Sequence, residues 1–446
     1  MQEVSAPVEA VISETTVLTL PEAVVSYFVP TKNRTVLVAG NRGNWLVVDE
    51  QQRLLYEELS SGKSIGEVLH TLPESRADSF LALLSQIFAR FFFADDEEAV
   101  SSPLTDDSVF VYLTYACNLN CSHCYMYRAV NREEPLTVEE YRHLFDVFAA
   151  RGVKSITFSG GEPLLHPDFE EIVRMAKAHG FSVTVLSNGT KWTNSRIAFA
   201  KENIDEVQIS VDGVDDDSCS LVRGPNVFDK AVETAVALSN AGVLTSVATT
   251  PVSETADEIE KGYREFAGEI LRRTNGKIIF RISSKLLDGR TCGHSDSFSA
   301  TAEKLADQIY TNDKCRTFSI NHPPNTGLRS CGWGSLTISP DGFVYPCNRV
   351  DDCTSLGSVR RIPADELFRR AAELAVLSDV DHTEPCCSCA LRYLCGGGCR
   401  LDDFESLSHT AEVRSFHKSC SPEKKRRILE TMVETTDYLY SFGQQT

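Results

Sequence analysis

The sequence lacks any uninterrupted apolar run close to the roughly 20 residues that a membrane-crossing helix requires, so no membrane span and no membrane partner are expected. Its first twenty residues include Glu3, Glu9 and Glu14 but no Lys or Arg, and so lack the basic start and long apolar core of a secretory signal. The expected compartment is therefore cytoplasmic. Basic charge is in short supply. With 44 Lys and Arg against 63 Asp and Glu, the net charge is -19, which argues against a sequence-independent grip on nucleic-acid phosphates. No internal repeat or low-complexity tract is present. The 446 residues, 42 % apolar and 24 % charged, match ordinary globular usage and leave room for about three domains.

Cysteine is absent from residues 1–116 and then abundant, 15 in all. In a reducing compartment clustered cysteines favour metal ligation or catalysis over disulfides, and an odd number cannot pair completely. Three lie between 117 and 124, Cys219 stands alone, and the rest fall between 292 and 420.

Ahead of the first cysteine, apolar runs at 24–29, 35–39 and 45–48 are separated by Pro30, Asn33, Gly40 and Gly43, and read as three short strands. Helical spacing follows in Leu54, Leu55 and Leu59, then Ile65, Val68 and Leu69, then Phe80, Leu83, Leu84, Ile87 and Phe88. An acidic stretch from 95 to 107 reads as a linker. From 109 onward strands and helices alternate as a parallel sheet requires, with strands over 109–114, 155–158, 182–186, 206–211, 245–250 and 277–282. Helices are expected over 138–150, 169–179, 228–241 and 255–271. The fold class is α/β: a partial (β/α)6 TIM-like barrel, whose site belongs at the C-terminal ends of its strands. Beyond 290 regularity is expected to fade until a charged helix near 424–440.

The motif Cys117-x3-Cys121-x2-Cys124 directly follows the first strand of the barrel region. Three thiolates on one short loop can hold three irons of a four-iron cluster, leaving the fourth iron open to an external ligand. A zinc site that recruits His123 is the bland alternative. In this position the motif resembles the radical S-adenosylmethionine (SAM) enzymes, in which the open iron chelates SAM and its reductive cleavage yields a 5'-deoxyadenosyl radical. By that resemblance His123 occupies an aromatic position near the adenine. Gly160-Gly161-Glu162 receives the SAM amino group, and Ser210 and Arg223 contact its ribose and carboxylate. Glu162 offers an acceptor for an ammonium group, and the two glycines permit a close approach of backbone to ligand. Asn188 is a further pocket candidate, or simply a turn residue. No acid or base is assigned.

The second cysteine field comprises Cys331, Cys347, Cys386, Cys389, Cys395, Cys399 and Cys420, with Gly342 between the first two. Its spacing resembles the SPASM domain, and 336–347 reads as a hairpin turning at Asp341-Gly342. The resemblance implies two auxiliary clusters, so three 4Fe-4S clusters in all with the SAM-binding one. Cys331, Cys347 and Cys399 hold the first; Cys386, Cys389, Cys395 and Cys420 hold the second. The fourth ligand of the first is Cys315, Cys353 or none, and the C-x2-C-x5-C-x3-C spacing also suits tetrahedral zinc. Cys219, Cys292 and Cys387 match no position of the family and read as incidental thiols.

By its element order, the N-terminal unit resembles the RiPP recognition element, a winged-helix-like α+β module that binds the leader of a ribosomally made precursor peptide. Its expected mode is β-augmentation at an exposed sheet edge. The domains are then 1–100 (recognition element, linker to about 107), 108–290 (radical SAM core), 291–327 (bridge), 328–421 (SPASM) and 422–446 (C-terminal helix). The resemblance implies a peptide maturase forming a carbon-carbon or thioether crosslink, with SAM as cofactor and flavodoxin or ferredoxin as electron donor. The alternatives are a maturase of a protein substrate, of the sulfatase-modifying or quinohemoprotein crosslinking type, and a non-catalytic zinc-binding adaptor.

Overall fold

The computed structural model describes residues 13–40, 43–94, 107–126, 129–283, 290, 333–348, 355–398, 400 and 420–441. Cys292, Cys315, Cys331, Cys353 and Cys399, and most of the expected linker, lie outside the described residues.

The N-terminal unit begins with the antiparallel strands β1 (Val24–Val29), β2 (Arg34–Ala39) and β3 (Asn44–Val48), adjacent in that order. Helices α1 (Glu50–Ser60), α2 (Ile65–Thr71) and α3 (Ala77–Ala89) follow. Asp49 with Gln52 and Ser64 with Glu67 form capping boxes, which satisfy the free N–H groups of the first turns and fix where α1 and α2 start. Because side chains alternate across a strand, the sheet has two apolar faces. Leu37, Leu46 and Val48 pack under Leu59, Phe80 and Leu83 of the helices. Val36, Val38, Trp45 and Val47 face the other way, against Leu391, Met432 and Val433 from far along the chain.

The two edges of the sheet differ. Strand β3 is wholly buried, and Gln86 of α3 closes its outer side: the Val47 N–H donates to Gln86 Oε1 (3.1 Å) and Gln86 Nε2 donates to the Val47 carbonyl (2.9 Å). At the other edge, Val25, Ser26 and Phe28 of β1 face solvent.

Six parallel strands follow: β4 (Ser108–Thr114), β5 (Ser155–Gly160), β6 (Ser182–Ser187), β7 (Glu206–Ser210), β8 (Leu244–Thr249) and β9 (Ile279–Ile282). Between them run α4 (Val138–Ala150), α5 (Phe169–Ala178), α6 (Asn194–Asn203), α7 (Asp216–Arg223), α8 (Phe228–Ala241) and α9 (Ala256–Arg273). Val111, Phe158, Val185, Ile209 and Val247 sit fully inside, as expected of parallel strands covered by helices. The arrangement fits a partial barrel.

An open barrel leaves β4 as an edge strand, which unpaired would invite association. Here β10 (Leu336–Ile338) pairs with β4 in parallel, Leu336 opposite Val109, and β11 (Phe343–Tyr345) and β12 (Gly357–Ser358) extend the sheet to nine strands. The hairpin turns at Ser339 to Gly342, where Ser339 Oγ donates to Asp341 Oδ1 (2.6 Å). It therefore continues the barrel sheet. The late region is also more regular than the cysteine-rich sequence suggests. Helix α10 (Ala364–Leu377) buries Leu367, Ala371 and Ala375 at a four-residue interval, and α11 (Arg392–Cys395) and α12 (Pro422–Ser441) complete the chain. Gly43, at φ +71°, lies so close to α11 that an added Cβ would stand 2.8 Å from Tyr393 Cβ. Among the described residues no helix is long and apolar enough to cross a membrane.

Candidate functional site

The loop after β4 carries Cys117, Cys121 and Cys124 at the C-terminal mouth of the parallel strands, where barrel sites are built. Its stem is fastened to the end of β5: Gly161 N–H donates to the Thr114 carbonyl (2.7 Å), and Glu162 N–H to that of Ala116 (2.9 Å). A Cβ on Gly161 would stand 2.4 Å from the Ala116 oxygen. The close approach that Gly160 and Gly161 permit is thus to the stem of the cysteine loop itself.

Glu162 is fully buried, accepting hydrogen bonds from Ser187 Oγ and the Asn188 N–H, both at 2.8 Å. Burial pushes its carboxyl up, and those hydrogen bonds pull the other way. These bonds tie β5 to β6 and hold the carboxylate beside the cysteine loop, with acceptor capacity left over on a group that offers about four lone-pair sites. Asn188 comes from the turn after β6, and its Nδ2 reaches Asn118 Oδ1 (3.2 Å) and lies 3.9 Å from Cys117 Sγ. It therefore stands beside a cysteine of the loop.

On the other side, Ser122 N–H donates to the Val222 carbonyl (2.9 Å), docking the loop onto α7. Asp212, 1 % exposed, joins three elements: Arg223 at 2.6 Å, His123 Nε2 at 3.1 Å, and the Thr250 N–H, which donates to its Oδ1 at 2.7 Å. Burial alone would raise the Asp212 carboxyl, but the Arg223 guanidinium and His123 outweigh it and hold the group well below the usual carboxylate range. Burial pushes the Cys121 thiol up, opposed by Arg223. Ser210 ends β7, half-buried and paired with Ala248. Within this mouth the structure brings together all three cysteines, His123, Asn188 and Arg223. Asp212 was not singled out from the sequence; its signal is its place between Ser210 and Gly213 at a strand end.

A four-iron cluster with a chelated cofactor fits this mouth. Three thiols share one loop, Asn188 stands beside one of them, and His123 Nδ1 is buried with no hydrogen-bond partner. Among the described residues, no three His, Cys, Asp or Glu side chains converge closely enough to hold a single metal ion.

Of the second cysteine field, Cys386, Cys389, Cys395 and Cys420 line one cavity between α11 and the start of α12. Cys347 is buried at the end of the hairpin. Next to it, Tyr112 Oη donates to the Asn348 carbonyl (2.6 Å) and shares a 2.7 Å hydrogen bond with Tyr125, the residue after Cys124. That link between the two cysteine loops has no sequence signature. Cys219 is buried in α7, its thiol pushed up to about 11 by burial, and Cys387 is half-buried outside the cavity lining.

Residues 111–266 match the Radical SAM superfamily, and residues 330–396 match SPASM, an iron-sulfur cluster-binding domain. The chain is 30 % identical over 316 residues to the mycofactocin maturase MftC of Mycolicibacterium smegmatis, an alignment covering 66 % of this chain and 77 % of that one. It is 26 % identical over 368 residues to the PqqA peptide cyclase of Streptomyces rochei, covering 76 % and 96 %. The solved structure of native anSMEcpe with bound AdoMet superposes with a TM-score of 0.56 at 20 % identity, covering 74 % of this chain and 98 % of that one, and so shares the fold.

Proposed function

This chain belongs to the radical SAM superfamily, and from that premise we propose that it modifies a ribosomally synthesised precursor peptide, forming a carbon-carbon or thioether crosslink. It is an enzyme of radical chemistry that uses SAM and iron-sulfur clusters. The observation that carries this reading is the mouth of the barrel, where the loop of Cys117, Cys121 and Cys124 is pinned to β5 through Gly161 and to α7 through Ser122 and Asp212. The relatives MftC and PqqA peptide cyclase are a maturase and a peptide cyclase by name, which favours a peptide substrate over a folded protein.

In this reading the three thiolates hold the SAM-binding cluster, and Arg223, kept charged and oriented by Asp212, meets the SAM carboxylate as a bidentate partner. Gly160-Gly161-Glu162 after β5 meets its amino group, Ser210 its ribose, and His123 and Asn188 flank it. When bound there, cluster and SAM together supply a 5'-deoxyadenosyl radical that takes a hydrogen atom from the substrate. Cys347, with Cys331 and Cys399, holds one auxiliary cluster, whose fourth ligand is Cys315, Cys353 or none. Cys386, Cys389, Cys395 and Cys420 hold the other. The N-terminal unit binds the leader of the peptide as an added strand, along β1 or along β3 once the Gln86 amide is displaced. A flavodoxin or ferredoxin supplies the electron, in the cytoplasm.

Anaerobically reconstituted protein tests the reading. The expectation is on the order of twelve irons per chain from three four-iron clusters, and 5'-deoxyadenosine from SAM under reduction. Replacing Cys117, Cys121 and Cys124 by Ala removes SAM cleavage and leaves the other clusters in place. Zinc in place of iron, or no 5'-deoxyadenosine, overturns it.

A further inference from the structure

The cavity lined by Cys386, Cys389, Cys395 and Cys420 has a charge pattern of its own. Its charged lining residues are Arg392, Lys424 and Lys425, and no carboxylate lines it among the described residues. Arg392 is locally balanced by Asp381, with Nε 2.7 Å from Oδ1. The two lysines belong to the basic run 424–427 in the first turns of α12, in a chain whose net charge is -19. Cations there are unfavourable for the helix, since its N-terminus already carries partial positive charge. Their place is in the lining of the cavity, where two ammonium groups stand on the same wall as four sulfurs. Arg426 and Arg427, in the same run, pair with Glu423 at 2.6 and 3.7 Å, and neither lines the cavity.

We propose that Lys424 and Lys425 raise the reduction potential of the cluster held by Cys386, Cys389, Cys395 and Cys420. The inference rests on the reading that these four cysteines hold an iron-sulfur cluster. One-electron reduction by an external reductant adds one negative charge to the site, and fixed cations beside it stabilise the reduced form over the oxidised one. Net charge and exposure are established levers on such potentials. Lys424 is half-buried and Lys425 exposed, so the contribution of Lys425 is screened by salt more strongly than that of Lys424.

The test is an EPR-monitored redox titration of the full-length protein, anaerobically reconstituted and reduced with dithionite through mediators. In the double variant Lys424→Met and Lys425→Met, the ratio of reduced to oxidised cluster at the wild-type midpoint is expected to fall about tenfold, a downward shift of about 59 mV for a one-electron couple. The other cluster signals stay in place. Arg replacements at both positions restore the midpoint and show that the charge is responsible. Arg426→Met leaves it unchanged. An intact signal with an unaltered midpoint in the double Met variant overturns the proposal. A control separates that failure from failure of the ligand assignment: Cys389→Ala with Cys420→Ala must abolish the same signal. If that signal survives, the assignment falls, and the proposal with it.

Discussion

Asp212 and Arg223 form a buried ion pair at 2.6 Å, and His123 of the cysteine loop leans on the same carboxylate. Removing one member of such a pair strands a charge out of water. Asp212→Asn is therefore expected to cost about 3–5 kcal/mol in urea unfolding. Replacing both, Asp212→Asn with Arg223→Met, recovers part of that stability. SAM cleavage falls in both variants, because each loses the oriented guanidinium. A double variant no more stable than the single one would show that the charges are not coupled.

Gly161→Ala places a methyl group 2.4 Å from the Ala116 carbonyl, a backbone atom that can yield only if the stem of the cysteine loop moves. Overpacking of this kind costs about 1–3 kcal/mol, and iron retained at the first cluster is expected to drop with it. Gly268→Ala in α9 is the contrast. Nothing stands within 4 Å, so helix propensity alone acts and stability rises by about 0.5–1 kcal/mol. Thermal unfolding of the two variants against wild type checks both signs.

Gln86→Ala leaves the Val47 N–H and carbonyl buried without partners. The expected cost is about 1–3 kcal/mol in denaturant unfolding. If the leader peptide adds to β3, the same variant binds it more tightly, since no internal amide competes. If it adds to β1, the affinity of the folded protein is unchanged. The precursor peptide titrated by fluorescence anisotropy reads this directly.

Glu140 accepts from Arg360 Nε at 2.5 Å and closes the capping box of α4 with Thr137. The Arg360 hydrogen bond holds its carboxyl down to about 2 against the opposing effect of burial. A folded value below the unfolded value of about 4.3 means that the pair stabilises fully above that pH and is lost as pH falls toward 2. Solvent screening limits the effect to about 1 kcal/mol. Glu140→Gln should flatten the stability-pH curve between about pH 5 and 2 and destabilise at neutral pH. An unchanged acid limb would place the titration elsewhere.

Much of the architecture was legible along the chain because each element signals itself locally. The alternation of Val-rich runs with amphipathic stretches located the six barrel strands. The three strands and three helices of the first unit were legible for the same reason. Helix α10 was not, because two of the three residues on its buried stripe, Leu367, Ala371 and Ala375, are alanines, too small to mark an apolar face in the sequence.

The sequence by itself determined the ligands on offer: three closely spaced cysteines after a strand, Gly160-Gly161-Glu162 after the next, and a second cysteine field at distinctive spacing. Spacing along a chain specifies which atoms can share one loop. It does not specify what faces them across space. Only the tertiary structure decided that Glu162 serves Ser187 and Asn188, that Asp212 gathers His123 and Arg223, and that the hairpin of Leu336 closes the edge of β4. These are contacts between elements distant in sequence, formed because a buried carboxylate or an unpaired strand edge must be satisfied by whatever the packed fold brings within reach.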